Sequence, residues 1–484
     1  MLLLFVIIIA LAPLVLASLY FTFIFLRACY TLRKFRGPFA LPLIGNCYTS
    51  EALSIFKYLA SLRKRYGKIF TFFTFSKPRL VVLDPIIARR VLSDSKAFPK
   101  GSDYTHAFSH VFGKGLVTSN GDKHKKDRAI FGRFFVKNNI VKCTDSFNAI
   151  ADDAIDDLLK VAVSDGKPKP LNIEKFFAVC ALRLFMKFCT GADYKPMHDR
   201  ELTICKIVSE ASNATGTVVI FGLPLFSFMP QVKVMDKCRA EVRKEFDLAL
   251  TKRKAEHDRG DNLDCDDCLN AMIEEKMDDA DMFDHFMTLI CAGHDTSAYF
   301  SSYLVFLLGK HQDVQDKLRA EILNHFKGRT EVTADDILEL KYLAKVMQET
   351  LRFYAIIPGV SRKSAEEVHI KEASVTIPKG VELFIPMSII NRDPSIWENP
   401  SVFDPERFEG KTTDFTSAKN GFFPFGYGSR TCIGNTLAQI ESGILISKLL
   451  MRCRFDLDPG FKIRITAGIS LTTKGGINVI CRPL

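Results

Sequence analysis

The stretch FGYGSRTCIG, from Phe425 to Gly434, decides the fold class of this 484-residue chain. It holds one cysteine, Cys432, among three glycines and an arginine, and it stands directly before the run NTLAQIESGILISKLL. Glycines allow a backbone to come close to a bound group, and the start of a helix stabilises negative charge on sulfur. The stretch therefore predicts a thiolate held in a tight loop before a helix.

A thiolate is a soft ligand, and in proteins it binds zinc, iron–sulfur clusters or haem iron. Zinc and clusters need several ligands close together, yet no other cysteine or histidine lies within residues 430–450. Haem iron needs only one protein ligand on one face. The residues therefore favour a haem ligand at Cys432. A lone structural cysteine is the alternative, and it leaves the surrounding glycines and arginine unexplained.

The same stretch resembles, position by position, the Phe-Gly-x-Gly-x-Arg-x-Cys-x-Gly loop of the cytochromes P-450, the haem-thiolate monooxygenases. The resemblance implies that Cys432 is the axial ligand of the iron in haem b (iron protoporphyrin IX). It also implies that Arg430 faces a haem propionate and that Phe425 belongs to the haem-binding loop. It covers nearly the whole chain and implies a mainly α fold with a small β-rich lobe, the cytochrome P-450 fold.

Other segments of the chain resemble further motifs of the family, and they occur in the same order. Arg128 and Arg362 resemble arginines that contact the propionates, and His124 stands where the family usually has a tryptophan. A histidine can still donate a hydrogen bond to a propionate, so His124 is expected at the cofactor.

The segments ETLR and NPSVFDPERF resemble a second family pattern, in which Glu349, Arg352 and Arg407 form a charged network. The resemblance gives this network a structural role, because it supports the cysteine loop and takes no part in a chemical step. A Glu–Arg pair three residues apart in a helix is otherwise commonly a weak surface pair, and that is the alternative.

The segment AGHDTS lies in the middle of one long helix predicted over Asp281–Lys310, and it resembles the oxygen-activation motif of the family. Dioxygen is expected where Gly293 leaves room, and protons must reach it through an apolar pocket. Thr296 offers a hydroxyl relay and Asp295 a carboxylate that passes protons from solvent, so both are predicted to be catalytic. A polar kink in a core helix and a second membrane span are the alternatives.

The N-terminal run from Leu2 to Leu26 carries no charged side chain and is long enough to cross a bilayer. Four basic residues follow it, at positions 27, 33, 34 and 36. The positive-inside rule then predicts a single transmembrane helix in the endoplasmic reticulum, with the catalytic domain facing the cytoplasm. The predicted divisions are an anchor (1–29), a basic, proline-rich hinge (30–46) and one catalytic domain (47–484). A cleaved signal peptide is the alternative.

The amino-acid composition gives further information about partners and cellular compartment. The net charge of +11 suits an anionic membrane or an acidic partner, and no cluster typical of nucleic-acid binding is found. Thirteen cysteines without a regular framework indicate a reducing compartment. One CxxC pair, Cys265 and Cys268, is interpreted as part of an exposed acidic loop, with a zinc or redox site as the alternative.

Two further segments have a predicted structure. The residues around 68–85 predict a β-hairpin with a break at Lys77–Pro78. The apolar segment Thr215–Pro230 is interpreted either as a buried loop or as a flap that touches the bilayer and gates an apolar substrate.

The predicted reaction inserts one oxygen atom from dioxygen into a lipophilic substrate. By the resemblance, NADPH and flavins act only through a reductase partner, and a cytochrome b5-like protein is a second candidate donor. Lys123, Lys125 and Lys126 are expected either to dock this partner or to form a solvated helix face. Desaturation or isomerisation by a similar haem site, and a non-catalytic haem or lipid-binding protein, are the alternatives.

The substrate pocket is expected, by family topology, to draw on five segments. These are residues 101–118, 205–230, 287–299, 355–360 and 468–472, with Phe108, Phe112, Phe221 and Phe226 among their side chains.

Overall fold

The structure is a computed structural model that describes residues 2–46, 55–75, 77–164, 166–191, 198–223, 225–259, 267–410, 415 and 421–484. The chain forms a large helical part and a small β-rich lobe, as the sequence predicts. The helices are α1 (Leu2–Thr31), α2 (Ile55–Tyr66), α3 (Pro85–Ser93), α4 (Ser109–Phe112), α5 (Gly121–Gly132), α6 (Lys137–Lys142), α7 (Thr144–Ala162), α8 (Ile173–Thr190), α9 (His198–Phe221), α10 (Pro230–Asp258), α11 (Cys268–Glu274), α12 (Asp279–Lys310), α13 (Gln312–Phe326), α14 (Ala334–Glu339), α15 (Lys341–Phe353), α16 (Met387–Ile390) and α17 (Asn435–Arg452).

The strands are short and form several small sheets. They are β1 (Ile69–Thr74), β2 (Lys77–Val82), β3 (Val163–Ser164), β4 (Lys167–Pro168), β5 (Pro170–Asn172), β6 (Val360–Lys363), β7 (Val368–Ile370), β8 (Val375–Ile377), β9 (Glu382–Ile385), β10 (Cys453–Leu457), β11 (Ile465–Ala467), β12 (Leu471–Thr473) and β13 (Asn478–Pro483). The largest sheet has the order β1-β2-β9-β6, and a second has the order β10-β13-β5.

The predicted hairpin is confirmed, although the position of its break is wrong. Strands β1 and β2 pair antiparallel with Thr74 opposite Lys77, so β2 already begins at the residues that were expected to interrupt it. Pro78 is tolerated there because the pairing of β2 with its other neighbour, β9, starts only at Leu80.

Two hydrophobic cores correspond to the two parts of the molecule. The small lobe buries Phe70, Val81 and Leu383 completely between its sheet and α3. The helical part buries a larger set, which includes Phe246 and Tyr303. The cysteine loop lies between these cores, because α3 belongs to the first and α17 to the second.

Helix α12 crosses the helical core and carries the predicted oxygen-activation motif. It begins at Asp279, two residues before the predicted start, because the side chain of Asp278 caps it by accepting from the amide of Asp281, 2.7 Å away. Nearly every residue from Phe286 to Gly309 is buried in protein. The long core helix predicted from the sequence is therefore confirmed.

The N-terminal segment forms α1, and its last turns pack on the small lobe. Phe25 and Leu32 are buried, and the ring of Phe25 lies 5.3 Å from that of Phe73. Across the described residues, none of the helices combines the length and the hydrophobicity that a membrane crossing requires. The predicted transmembrane helix over 1–29 is therefore not confirmed.

The apolar segment from Thr215 to Pro230 is helical in its first half. Helix α9 continues to Phe221, and it buries Thr215 and Val218, because these residues face the core. Farther along, Phe226 and Phe228 are exposed and stack on each other with ring centres 5.4 Å apart. The first half is thus buried but helical rather than a loop, and the flap interpretation of the second half stays a prediction.

The expected exposed acidic loop at the CxxC pair is wrong for its second half. Cys265 lies outside the described residues, whereas Asp267 and Cys268 are buried. Asp267 is buried because it caps α11 and pairs with the guanidinium of Arg253, 2.8 Å away.

Candidate functional site

The loop around Cys432 is closed by its own backbone. The amide of Cys432 donates to the carbonyl oxygen of Phe425 at 2.7 Å. Gly426 and Gly428 have φ of +76° and +74°, a region that favours glycine. A Cβ atom on Gly428 would lie 2.7 Å from the Cα of Ser93, at the end of α3. These two glycines therefore serve loop closure and contact with the small lobe.

The pKa of the Cys432 thiol differs from the expectation of a stabilised thiolate. Burial among protein atoms raises the pKa of the Cys432 thiol, while the amide of Gly434 and the guanidinium of Arg128 act in the opposite direction without cancelling it. The side chain is nevertheless accessible to solvent, so it faces an internal surface that a ligand can reach. The predicted thiolate is therefore not produced by the loop alone, and it requires a metal, which deprotonates a coordinating thiol.

Three arginines predicted at the cofactor come together beside this loop. The side chain of Arg430 donates to the Asn120 side chain at 2.8 Å and to the Ser119 carbonyl at 3.3 Å. Burial, together with the positive charges of Arg362 and Arg128, lowers the pKa of Arg430 to about 10. The structure thus brings Arg128, Arg362 and Arg430 within electrostatic reach of one another.

A fourth basic residue, Lys100, was not found by sequence reasoning. Its amino group donates to the carbonyls of Leu116 and Ser119 at 2.8 and 3.0 Å. Burial lowers its pKa to about 6, and the charges of the three arginines add to this effect. No motif contains Lys100, so only the folding of residues 100–120 over the arginines reveals it.

His124 belongs to the same group but carries no charge at neutral pH. It is buried, and burial together with the nearby Lys100 and arginines lowers its pKa to about 3. Its neutral ring has one N–H and can donate a single hydrogen bond, as the sequence analysis required.

We name the group of Arg128, Arg362, Arg430, Lys100 and His124 the cationic cluster. Three arginines and the single carboxylate of Asp127 act on Lys100, so the cluster contains more positive than negative charge. The buried Nε atoms of Arg362 and Arg430 have no hydrogen-bond partner in the described part of the chain. The two propionates of a haem would supply both the missing acceptors and the missing charge. The residues present therefore fit a haem, for which the Cys432 sulfur would supply the iron ligand.

The middle of α12 presents a narrow accessible face. Within residues 285–309, all of them described, solvent reaches only Ala292, Gly293 and Thr296. The hydroxyl of Thr296 donates to the carbonyl of Ala292 at 2.7 Å. Gly293, by contrast, leaves room for the ring of Phe185 on α8, which a Cβ atom would meet at 2.1 Å. Helix packing therefore fills the Cβ side of Gly293, and the expected role of this residue in receiving dioxygen stays a prediction.

Asp295 points away from this accessible face. It is buried and accepts a hydrogen bond from the hydroxyl of Ser470 at 2.7 Å, and Ser212 on α9 is a second hydrogen-bond partner. Burial raises its pKa to about 6 against the effect of these hydroxyls. The carboxyl group can therefore exchange a proton near neutral pH.

Glu441 is a second buried acid near α12 that sequence reasoning missed. It lies on α17 and accepts a hydrogen bond from the hydroxyl of Ser297, and burial raises its pKa to about 8. A signal existed in the sequence, since Glu441 is the one carboxyl group in the run NTLAQIESGILISKLL.

The network of Glu349, Arg352 and Arg407 forms as predicted and is fully buried at its centre. The guanidinium of Arg352 contacts both oxygens of Glu349 at 2.6 and 2.7 Å, and Arg407 contacts one of them at 2.9 Å. Glu349 and Arg352 have no exposed surface, so the alternative of a weak surface pair is wrong.

The network reaches the cysteine loop through aromatic rings. Arg352 donates to the carbonyls of Asn391 and Pro400, and its guanidinium lies 5.5 Å from the ring centre of Trp397. Trp397 in turn lies 5.9 Å from Phe422, three residues before Phe425. The contact with the loop is thus indirect.

The segments expected around the substrate contact one another in pairs. The amide of Ile469 donates to the Ser212 carbonyl at 3.1 Å, and that of Leu471 to the Ile356 carbonyl at 2.6 Å. Phe108 and Phe112 pack with ring centres 6.0 Å apart. The side chain of Phe221 lies outside what the structure describes, and Phe226 faces solvent.

Comparison with known proteins agrees with this geometry. The family profile for cytochrome P450 matches residues 35–477. A rice protein (Oryza sativa subsp. japonica), cytochrome P450 714C2, is 25% identical over 89% of this chain and 83% of its own length. The 11-oxo-beta-amyrin 30-oxidase of Glycyrrhiza uralensis is 25% identical over 91% of this chain and 86% of its own length. Probable cytochrome P450 4aa1 of Drosophila melanogaster is 26% identical over 94% of this chain and 90% of its own length. The chain therefore belongs to the cytochrome P450 family, and it is a haem-dependent oxidoreductase of the monooxygenase type.

Proposed function

We propose that this protein inserts one oxygen atom into a lipophilic substrate with two electrons that NADPH supplies through a flavoprotein reductase. The balance is R–H + O2 + 2e− + 2H+ → R–OH + H2O. Cytochromes P450 generally use redox-partner reductases and bind lipophilic substrates. The observation that carries the proposal is the accessible Cys432 sulfur beside a cationic cluster that lacks compensating negative charge.

In this proposal Cys432 is the axial ligand of haem b. Arg128, Arg362 and Arg430 hold the propionates together with a hydrogen bond from His124. Phe425 fixes the loop through the bond from the Cys432 amide to its carbonyl. Bound haem supplies the iron that binds and activates dioxygen. Residues 47–484 act as one catalytic domain, which agrees with the extent of the family match.

We propose that Thr296 and Asp295 deliver the two protons. The Thr296 hydroxyl lies on the accessible face of α12, and the raised pKa of Asp295 lets that acid release a proton at neutral pH. Because Asp295 points toward Ser470, a turn of its side chain or a bridging water must connect it with Thr296.

The substrate class is proposed to be a lipid, a sterol or other isoprenoid, or a foreign compound. The name of the Glycyrrhiza relative gives 11-oxo-beta-amyrin as its substrate, which is compatible with this class. Desaturation by the same site is the second candidate, since it uses the same protons and electrons. Product analysis after a screen of lipid and drug panels for Soret shifts separates the two reactions.

The haem assignment is tested by the carbon monoxide difference spectrum of the reduced protein. We expect a thiolate-type spectrum, and we expect Cys432→Ala to lose it. A Cys432→Ala protein with the wild-type spectrum would contradict the assignment. NADPH consumption with a purified reductase separates an enzyme from a non-catalytic haem or lipid-binding protein.

The reductase, with a cytochrome b5-like protein as an additional donor, is proposed to dock near the exposed lysines of α5. Lys123 pairs with Asp281 at 3.1 Å, so Lys125 and Lys126 are the better targets for mutation. Reversing both charges should lower reductase-supported turnover and leave peroxide-driven turnover unchanged. Equal losses in both assays would contradict docking at this face.

We also propose attachment to the endoplasmic reticulum membrane, with the catalytic domain facing the cytoplasm. The support is the set of exposed apolar side chains on α1, which includes Leu16, Leu19 and Phe23. Glutamate at these three positions should reduce cosedimentation of the full chain with liposomes. Unchanged cosedimentation would contradict a membrane contact through α1.

A further inference from the structure

A short segment after β11 contacts two buried or half-buried acids. Ser470 donates its hydroxyl proton to Asp295 at 2.7 Å, and three residues later Thr473 donates to the carboxylate of Glu174. Glu174 lies in the first turn of α8, far in sequence from the oxygen-activation motif. One extended segment of the chain thus carries a hydroxyl group to each of two carboxyl groups on different helices.

Two further hydroxyl groups form hydrogen bonds at this segment. The hydroxyl of Tyr303 donates to the carbonyl of Leu471 at 3.0 Å. The hydroxyl of Thr472 donates to the side chain of Asn213 at 2.9 Å. This is a concentration of polar atoms in an otherwise apolar core, and such groups are retained where they are hydrogen-bonded or used.

Solvent exposure decreases from Glu174 to Asp295. Glu174 is only partly buried, whereas Ser470 is 2% exposed and Asp295 is 5% exposed. Solvent therefore reaches the outer acid directly but reaches Asp295 only through the protein. A proton bound for Asp295 needs such a route, because water cannot supply the buried carboxylate directly.

We propose that Glu174 is the outer carboxyl group of a proton path that runs along residues 470–473 to Asp295. The inference rests on the proposed function, since it concerns the supply of the two protons that the reaction consumes. A proton enters at Glu174 from solvent and one leaves Asp295 toward Thr296, so the path itself gains no net charge. Glu174 touches neither substrate nor cofactor, and it acts through Asp295.

The acid strengths of the two carboxyl groups are compatible with transfer. Burial and, to a smaller extent, the charge of Asp295 raise the pKa of Glu174 to about 7, against the effect of the hydrogen bond from Thr473. The pKa of Asp295 is raised to about 6. Two acids with pKa values close to each other and to neutrality exchange protons with a small free-energy cost in either direction.

A purely structural role for Glu174 is the competing explanation. A carboxylate in the first turn of a helix interacts favourably with the helix dipole, and its bond to Thr473 joins α8 to β12. Such a role affects stability, but it does not affect the sensitivity of the rate to deuterium in the solvent.

The test uses the full chain with haem and a purified reductase in excess, and it compares NADPH consumption in H2O and D2O. We expect Glu174→Gln to lower the rate about five- to tenfold and to increase the solvent isotope effect. Thr473→Val should act in the same direction, and Glu174→Asp should recover part of the rate. Glu372→Gln, which changes an exposed acid of the small lobe, is the matched control and should behave as wild type.

A second assay separates the path from the rest of the site. Hydrogen peroxide brings its own oxygen, electrons and protons, so peroxide-driven oxidation of the dye ABTS should be unchanged in Glu174→Gln. A rate and isotope effect equal to wild type, or an equal loss in the peroxide assay, would overturn the proton path. Wild-type protein that binds haem but consumes no NADPH would instead overturn the proposed function.

Discussion

Two groups of buried charges in this molecule differ in how their charge is balanced. In the network of Glu349, Arg352 and Arg407, a buried carboxylate binds two guanidinium groups, and backbone carbonyls accept the remaining N–H groups. In the cationic cluster, by contrast, neighbouring positive groups lower the pKa values of Arg430, Lys100 and His124, and two buried Nε atoms lack partners in the described residues.

The difference separates a structural site from a binding site. A buried charge that is paired within the chain stabilises the fold as it stands, whereas an excess of one sign is costly until a ligand of opposite sign arrives. Substitutions in the two groups should therefore have opposite consequences for the protein without haem.

The largest effect is expected for Glu349→Gln. Removing this carboxylate leaves two buried guanidinium groups without their counter-charge, which should lower the free energy of unfolding by about 3–5 kcal/mol. Glu406→Gln is the matched control, because that exposed carboxylate pairs, among the described residues, with Lys317 and Lys345, and its loss should cost less than about 1 kcal/mol. Denaturant unfolding measures both, and equal small losses would contradict the structural role of the network.

Arg430→Met should have a smaller effect, which weakens haem binding but does not lower the stability of the apoprotein. Loss of one charge-assisted bond to a propionate should weaken haem affinity about ten- to hundredfold. The protein without haem should keep its stability or gain some, because one repelling charge is gone. Haem transfer to apomyoglobin measures the affinity, and denaturant unfolding of the apoprotein measures the stability. A large loss of apoprotein stability would place Arg430 with the structural network.

The pH dependence of apoprotein stability tests Lys100. Its pKa falls from an ordinary 10.5 to about 6 on folding, so between these values the unfolded chain holds one more proton. The free energy of unfolding should therefore rise with pH above pH 6, by at most about 1.4 kcal/mol per pH unit from this group. Lys100→Met should remove that contribution, as measured by the difference between the two unfolding curves. Parallel curves for wild type and variant would contradict a lowered pKa.

The smallest effect is expected for His124→Gln. Since the imidazole is neutral above its pKa of about 3, it offers one hydrogen bond and no charge. Glutamine also donates, so haem affinity should change by less than about threefold. A loss as large as that of Arg430→Met would show that a charged imidazole holds the propionate, and would contradict the neutral state.

The parts of the site that the sequence predicted are those whose geometry is local. Cys432 is identified by a ten-residue pattern, and Glu349 and Arg352 lie three residues apart on one helix. The long core helix could also be predicted, because its apolar run is continuous and its caps are short polar residues.

Other features depend on contacts between distant segments, and no local pattern encodes them. Lys100 enters the cationic cluster only when residues 100–120 fold over Arg430, and Glu174 meets Thr473 across most of the chain. The close contact of Gly293 with the ring of Phe185 likewise joins two helices, so the motif alone does not predict it.

The contact of Gly428 with the end of α3 links the Cys432 sulfur, the proposed iron ligand, to the small lobe. Because the backbone of Ser93 leaves no space for a side chain there, the loop takes its position from an element whose core is the β-sheet. Loosening of that sheet should therefore displace the sulfur before the helical core changes. The optical spectrum of the haem would then report on the integrity of the small lobe, whose sheet also carries Arg362 on β6.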